Sequence, residues 1–291
     1  MSPTVARDAV IDNEAVKAYA DSYGERATHL PPVAIVMAAY NEEGVVGQVV
    51  RALPPALCGQ DACVIVVSDG SADHTVDVAK AAGALVCDVP VNRGQGAALR
   101  LGYRLARDGG AKYIVTTDAD GQYNPAEIEG VLAPVVAGEA DFVTGSRTMG
   151  SEETKDPVRR LGVRVFAMMI SVLTGQRISD TTFGLRAMRA EVTGAVRLEQ
   201  PQYQASELLI GVMVRGFRVT EVPATIHKRR VGKSKKGNNA WYGLSFARVV
   251  VGTWWRERRQ GRAPESVSPN LLSPEAGEPS AERSADPLLD R

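Results

Sequence analysis

Two carboxylates one residue apart, Asp118 and Asp120, with the amide oxygen of Gln122 two positions on, are the most chemically specific cluster in the chain. Oxygen ligands in a single turn can face one hard cation. Mg²⁺ or Mn²⁺ held this way completes its shell with water and substrate phosphates. The same residues could instead cap the run Pro125-Ala126-Glu127 as a surface turn, and a motif this short does not choose between the two. Its setting favours a site. Residues 113–117 have the β-branched and aromatic content of a buried strand. Open α/β sheets hold their ligands at the carboxyl ends of such strands.

The elements that must position this pair recur upstream. Residues 33–37 form an apolar strand running into Tyr40-Asn41-Glu42-Glu43-Gly44 and an amphipathic helix to about residue 53. Asn41 suits the N-cap of that helix and the glutamates suit its dipole, while the same carboxylates and backbone could form the mouth of a nucleotide pocket. Residues 63–67 end in Ser68-Asp69-Gly70-Ser71-Ala72-Asp73-His74-Thr75. Ser71 or Asp73 can cap the next helix. Asp69, at the strand tip, can accept hydrogen bonds from ribose hydroxyls or base N–H groups. Residues 84–89 lead to Asn92-Arg93-Gly94-Gln95-Gly96, which opens a helix in a manner suited to a pyrophosphate but lacks the third glycine of a dinucleotide fingerprint. Residues 141–145 end in Ser146-Arg147. Strand–helix alternation from 33 to 146 predicts an α/β fold, a mostly parallel Rossmann-like sheet flanked by helices and joined by right-handed crossovers. Glu42, Asp69, Asp118, Asp120 and Arg147 should then meet at one edge of that sheet.

Composition bounds the alternatives. The 291 residues, 44% hydrophobic and 23% charged, suffice for one large α/β domain or two small ones. A formal net charge of zero and the lack of a nucleic-acid motif argue against a nucleic-acid partner. Cys58, Cys63 and Cys87 have no metal-ligand spacing with the histidines and read as reduced thiols of a cytosolic protein. No signal peptide is expected, and the longest apolar stretches, near 166–173 and 247–255, are too short or too interrupted to span a bilayer. The expected organisation is an extension over 1–30, carrying a short outer helix at 14–23, a main domain over 31–240, a basic aromatic helix over 241–262, and a disordered Pro-, Ser- and Glu-rich tail over 263–291.

Taken together, Tyr40-Asn41-Glu42, Ser68-Asp69-Gly70, Gly94-Gln95-Gly96, Asp118-Ala119-Asp120-Gly121-Gln122 and Gly145-Ser146-Arg147 resemble family 2 glycosyltransferases of the GT-A fold. Ser179-Asp180-Thr181-Thr182-Phe183-Gly184-Leu185-Arg186 and Arg229-Arg230-Val231-Gly232-Lys233-Ser234-Lys235 narrow the likeness to the polyprenyl-phosphate hexose synthases, such as dolichyl-phosphate mannose synthase. The resemblance covers roughly residues 31–240. It implies inverting transfer of mannose or glucose from a GDP- or UDP-hexose to polyprenyl phosphate. Asp118, Asp120 and Gln122 would hold Mg²⁺ or Mn²⁺ against the donor diphosphate, and Tyr40, Glu42 and Asp69 would contact the nucleoside. Arg147, Arg229, Ser234 and Lys235 would serve the acceptor phosphate and the closing loop. The sequence departs from the family at Ala38, where proline is frequent, and at Phe183, where serine is usual; Phe183 should lie near the acceptor. A lipid phosphate needs no strong base, so orienting arginines matter most. Asp180 is the candidate base for a hydroxyl acceptor, or else a helix cap or a contact to an arginine.

The second half must select the acceptor. Residues 157–174 read as an apolar helix with Arg160 and Arg164 one turn apart, either a core helix or an interfacial one that turns its arginines to lipid headgroups or the lipid phosphate. Glu207 sits inside a buried helix and needs a partner. Between 225 and 262, eleven basic residues face only Glu257, and residues 241–255 show a wide apolar face with a polar stripe of Ser245, Arg248, Gly252 and Arg256. That pattern suits a membrane surface, or packing on the core or on a dimer partner. The expectation is a peripheral enzyme on the cytoplasmic face of the membrane, with a separate membrane-anchor protein as a possible partner. The alternatives are a soluble or natural-product acceptor, and a nucleotide-sugar-binding protein without turnover.

Overall fold

The chain begins with helices α1 (Pro3–Tyr23) and α2 (Glu25–Thr28). It continues through β1 (Val33–Ala39), α3 (Val46–Ala52), β2 (Ala56–Leu57), β3 (Gln60–Asp69), α4 (Thr75–Ala81), β4 (Leu85–Val89), α5 (Gln95–Asp108) and β5 (Tyr113–Thr116). A 3-10 turn (Pro125–Glu127) leads into α6 (Ile128–Val136), β6 (Phe142–Glu152), α7 (Pro157–Thr174), β7 (Arg186–Arg189), α8 (Ala190–Ala195), α9 (Gln204–Val214), β8 (Val219–Ile226) and α10 (Ala240–Gln260). The computed structural model describes residues 3–153, 157–228 and 240–261.

One sheet organises these elements, in the order β2-β3-β1-β5-β7-β6-β8 with β4 also on β3. β1 pairs in parallel with β3 and β5, as β3 does with β4 and β6 with β8. β7 alone runs against both of its long neighbours, placing Arg186 opposite Thr116 of β5 and Thr144 of β6. The start of β7 therefore reaches the edge where β5 and β6 deliver their polar residues. The sheet is mostly parallel, as expected; β7 was not foreseen, because a four-residue strand with an arginine at each end carries no hydrophobic alternation. β6 also runs past residue 145, re-pairing with β8 at Ser151 after an irregularity.

Residues pointing to opposite sheet faces feed two core layers. Ala34, Val36, Ile65 and Val67 pack with α5 and α9 on one face, and Val33, Ile35, Met37 and Val66 with α3 and α6 on the other. All eight are fully buried. Each large aliphatic side chain among them contributes roughly 1.5–3 kcal/mol of transfer free energy.

One helix differs from expectation, and another takes up one of the alternatives read for it. α1 is much longer than the short outer helix read from residues 14–23, and it buries Ala15, Tyr19 and Asp12 against the body of the protein. Its acidic turns are accommodated because Asp8 and Asp12 pair with Arg100 and Arg93. α10 spends part of its apolar face on the core, burying Phe246, Val250, Thr253 and Glu257. Arg256, read as part of a polar stripe, turns inward to Glu199, Glu207 and Glu257. That supplies the partner buried Glu207 required, together with the N–H groups of Glu199 and Gln200.

Candidate active site

The loops after β1 and β3 are laced together. The N–H groups of Asn41, Glu42 and Glu43 donate to Ser71 Oγ, Thr75 Oγ1 and Asp73 Oδ2. Asn41 Oδ1 accepts from Ala72 N at 2.8 Å, and Glu43 accepts from His74 N at 2.9 Å. Asn41 is thus not the expected cap: α3 begins only at Val46, and Asn41, at φ 54°, anchors the neighbouring loop instead. Tyr40 stands exposed and Glu42 half-buried at the rim of the structure these bonds create.

Asp69 is buried at the tip of β3. Its Oδ2 accepts from Arg93 N at 2.9 Å and Gly94 N at 2.7 Å. Its Oδ1 makes no hydrogen bond among the described residues, with Arg93 Nε 3.7 Å away. Burial pushes the carboxyl above its ordinary range, opposed by those two N–H groups. Gly70 has φ 71°, and a Cβ there would strike the backbone of Val91 and Asn92. The glycines of the next loop are required by close packing. A Cβ on Gly96 would collide with Gln200 O, and Gly96 N donates to Pro201 O at 2.9 Å.

Asp118 and Asp120 lie just past β5, half-buried and buried respectively. Gln95, at the start of α5, donates its side-chain N–H to Asp118 Oδ1 at 2.9 Å, so the loop hung from Asp69 also touches this pair. Asp120 Oδ1 accepts from Gln122 N at 3.1 Å. Gln122 turns its amide nitrogen to His227 O at 2.8 Å, joining the turn to the end of β8. The donor set of two adjacent carboxylates and an amide fits a hard, oxygen-loving cation. No group of three His, Cys, Asp or Glu that could hold a metal occurs among the described residues, so water and phosphate oxygens would complete the shell.

Arg147 and Asp180 form the other end of the edge. Arg147 Nε donates to Asp180 Oδ2 at 2.6 Å and Nη2 to Thr182 Oγ1 at 3.1 Å, while Asp180 is fully buried. Of the three roles read for Asp180, the structure places it against the arginine. Glu221 of β8 sets the turn by accepting from the N–H groups of Ser179 and Asp180 at 2.7 and 2.9 Å. Glu152 bridges two cations, with Oε1 3.7 Å from Arg147 Nη1 and Oε2 3.7 Å from Arg160 Nε. Arg147 Nη1 makes no hydrogen bond among the described residues. Phe183 is fully buried, packed on Tyr123 at 5.0 Å and 5.6 Å from the Arg147 guanidinium. It therefore backs the arginine instead of lining open acceptor space. Arg186, from the same motif, is also buried and donates to the carbonyls of Phe183, Thr181 and Ala205.

Arg160 and Arg164 flank an outward face of α7 that exposes Leu161, Val165, Met168 and Val172, the last at 78%. Val163, Ala167 and Ile170 point into the core, so that side of the helix is a core face while the other side stands exposed. On the neighbouring α10, Val251 and Trp255 are exposed, and Arg258 and Arg259 lie over Trp254 and Trp255 at 5.1 and 4.7 Å. Arg229, Ser234 and Lys235 lie outside the described residues, as does the tail.

Sequence reasoning missed four participants: Gln95, Tyr123, Glu152 and Glu221. Gln95 and Tyr123 sit inside or beside recognised motifs, Tyr123 accepting from Gly184 N at 2.8 Å. Glu152 and Glu221 act across gaps in sequence that no local pattern records. A single carboxylate in each strand's polar run was the only signal.

A family profile described as Glycosyl transferase family 2 matches residues 34–196. A dolichyl-phosphate hexose transferase of Haloferax volcanii is 34% identical over 222 residues, covering 75% of this chain and 94% of its own. A polyprenol monophosphomannose synthase of Mycolicibacterium smegmatis is 32% identical over 253 residues, covering 79% of this chain and 89% of its own. Among solved structures, glucosyl-3-phosphoglycerate synthase of Mycobacterium tuberculosis, crystallised with Mn²⁺, UDP-glucose and phosphoglyceric acid, superposes with a TM-score of 0.61 at 20% identity over 82% of this chain and 83% of that one. The fold is that of the GT-A glycosyltransferases.

Proposed function

Since the chain belongs to glycosyl transferase family 2, we propose that it moves a hexose from a GDP- or UDP-sugar to a polyprenyl phosphate at a membrane surface, with inversion. One observation carries this reading: the order of groups along the sheet edge. Asp69 on β3 comes first, then Asp118 and Asp120 after β5, then Arg147 on β6 with Arg160 beside it. A nucleoside, a diphosphate and an acceptor phosphate would lie along that line in the same order. The apolar face of α7 adjoins its phosphate-binding end, as an isoprenoid acceptor requires. No helix among the described residues is long and apolar enough to cross a membrane, which leaves these surfaces for attachment.

The chemistry follows from these groups. Asp69 Oδ1 accepts a hydrogen bond from the nucleoside, and Tyr40 and Glu42 border that subsite. Asp118, Asp120 and Gln122 are the residues that would hold Mg²⁺ or Mn²⁺, which when bound supplies Lewis-acid stabilisation of charge on the leaving diphosphate. Arg147, fixed in one orientation by Asp180, and Arg160, steered by Glu152, bind the acceptor phosphate and direct one of its oxygens at the anomeric carbon. A phosphate monoester is largely dianionic above about pH 6, so attack needs no proton acceptor. Asp180 then serves as a positioning residue. Arg229, Ser234 and Lys235 are further candidate phosphate contacts.

The test is incubation of the protein with radiolabelled GDP-mannose or UDP-glucose, Mn²⁺ and polyprenyl phosphate in liposomes. Label extracted into organic solvent as a mild-acid-labile lipid supports the proposal. Label transferred only to soluble acceptors, or no turnover with any donor, overturns it.

A further inference from the structure

The N-terminal helix lies outside the region the family profile matches, yet it reaches the donor end of the site. We propose that Asp12 on α1 is a positioning residue for the nucleoside subsite, acting through Arg93 to keep Asp69 Oδ1 from being taken up by a hydrogen bond within the protein. The inference rests on the reading that Asp69 faces the donor nucleoside.

Three contacts carry it. Asp12 Oδ1 meets Arg93 Nη1 at 2.7 Å, with the two side chains only 10% and 5% exposed. The same nitrogen reaches the carbonyl of Asp8, whose carboxylate pairs with Arg100 Nη2 at 2.9 Å. The backbone of Arg93 and Gly94 occupies Asp69 Oδ2, so Oδ1, buried and without a hydrogen bond among the described residues, is the oxygen whose bonding capacity is unused. The guanidinium is therefore gripped at one end by α1. Its Nε and Nη2 are buried without hydrogen bonds among the described residues, and Nε lies 3.7 Å from Asp69 Oδ1, within ion-pair range but beyond a hydrogen bond.

That gap is the point. A buried guanidinium and a buried carboxylate this close attract strongly, and a small rotation would close them into a hydrogen-bonded pair. Asp12 competes for Arg93 and holds it back. With its charge removed, Arg93 is free to settle on Asp69 Oδ1 and block the atom the nucleoside needs. The other charges facing Arg93 here are Asp8, Asp69 and, through its contact with Asp12, Arg100. Asn13, which bonds Arg104 at the exposed side of the same helix, has no such reach.

Calorimetric titration of UDP and of GDP with Mn²⁺, paired with steady-state kinetics, tests this on full-length wild type, Asp12→Asn, Asp12→Glu and Asn13→Ala. Asp12→Asn should raise nucleotide Kd and donor KM about tenfold, the scale of one charge-assisted contact, with kcat and acceptor KM unchanged. Asp12→Glu should recover most of the affinity, and Asn13→Ala should match wild type. If Asp12→Asn only lowers Tm or the active fraction while donor KM stays at the wild-type value, Asp12 is merely structural and the inference fails. A wild-type protein that binds neither nucleotide overturns the donor-site reading itself, and this inference with it.

Discussion

At the scale of single residues, the proposed site separates into groups that would meet substrate and groups that hold them. The proposal puts Asp120 in the first class; it is buried at the β5 tip, its Oδ1 accepting from Gln122 N. Asp120→Ala is expected to lower kcat/KM about 100- to 1,000-fold while moving Tm by no more than about 3 °C; near-wild-type turnover would remove it from the site. Asp180 is the contrasting case. Changing it to Asn leaves the buried Arg147 charge with Glu152 as its one carboxylate partner among the described residues, which should cost about 3 kcal/mol or more of stability. Chemical denaturation reads that loss, and a raised acceptor KM at unchanged donor KM reads the misplaced arginine. These two residues also mark the limit of what sequence shows. Asp120 was legible because a carboxylate directly after an apolar strand has a predictable address. The partner of Asp180 was not, because Arg147 is 33 positions away and Glu221 a further 41 from Asp180 the other way.

At the scale of elements, α7 is the most informative. Its inward and outward faces are both apolar, so hydrophobic periodicity alone could not say which face was buried. Replacing Val165 and Met168 together with Glu should leave stability within about 0.5 kcal/mol, since both are exposed, and should abolish sedimentation with anionic liposomes. Undiminished liposome binding would place the membrane contact elsewhere. α10 stayed open between surface and core for a different reason: composition showed Glu257 as the one acid among eleven basic residues, but not that it faces inward to Arg215 and Arg256. Away from the site, Asp141 at the head of β6 ties Arg189 and Arg218 together. Burial alone would raise its carboxyl, but the hydrogen bonds and charge of Arg218 and the charge of Arg189 outweigh this and lower it. A depressed folded value means that its stabilisation is present above the ordinary carboxylate pKa, about 3.9, and is lost as pH falls through the folded one. Urea denaturation of wild type and Asp141→Asn should therefore converge as pH is lowered below about 4. A gap that stays constant into acid would contradict the pairing.

At the scale of the whole molecule, strand–helix alternation sufficed to foresee the parallel sheet and the edge on which its carboxylates gather. It could not foresee that β7 turns back between β5 and β6, or that α1 is part of the body, because both depend on long-range partners. β7 has a kinetic consequence. By standing between the strands that carry Asp118 and Arg147, it sets the donor and acceptor ends of the edge apart. On the proposed function, the two products would leave by different doors: the nucleoside diphosphate to water over the β3 side, and the glycosylated lipid along α7 without waiting for it. Release should be random in order. Added nucleoside diphosphate should compete with the sugar donor and leave the apparent KM for the lipid unchanged, whereas a compulsory order of release would shift both.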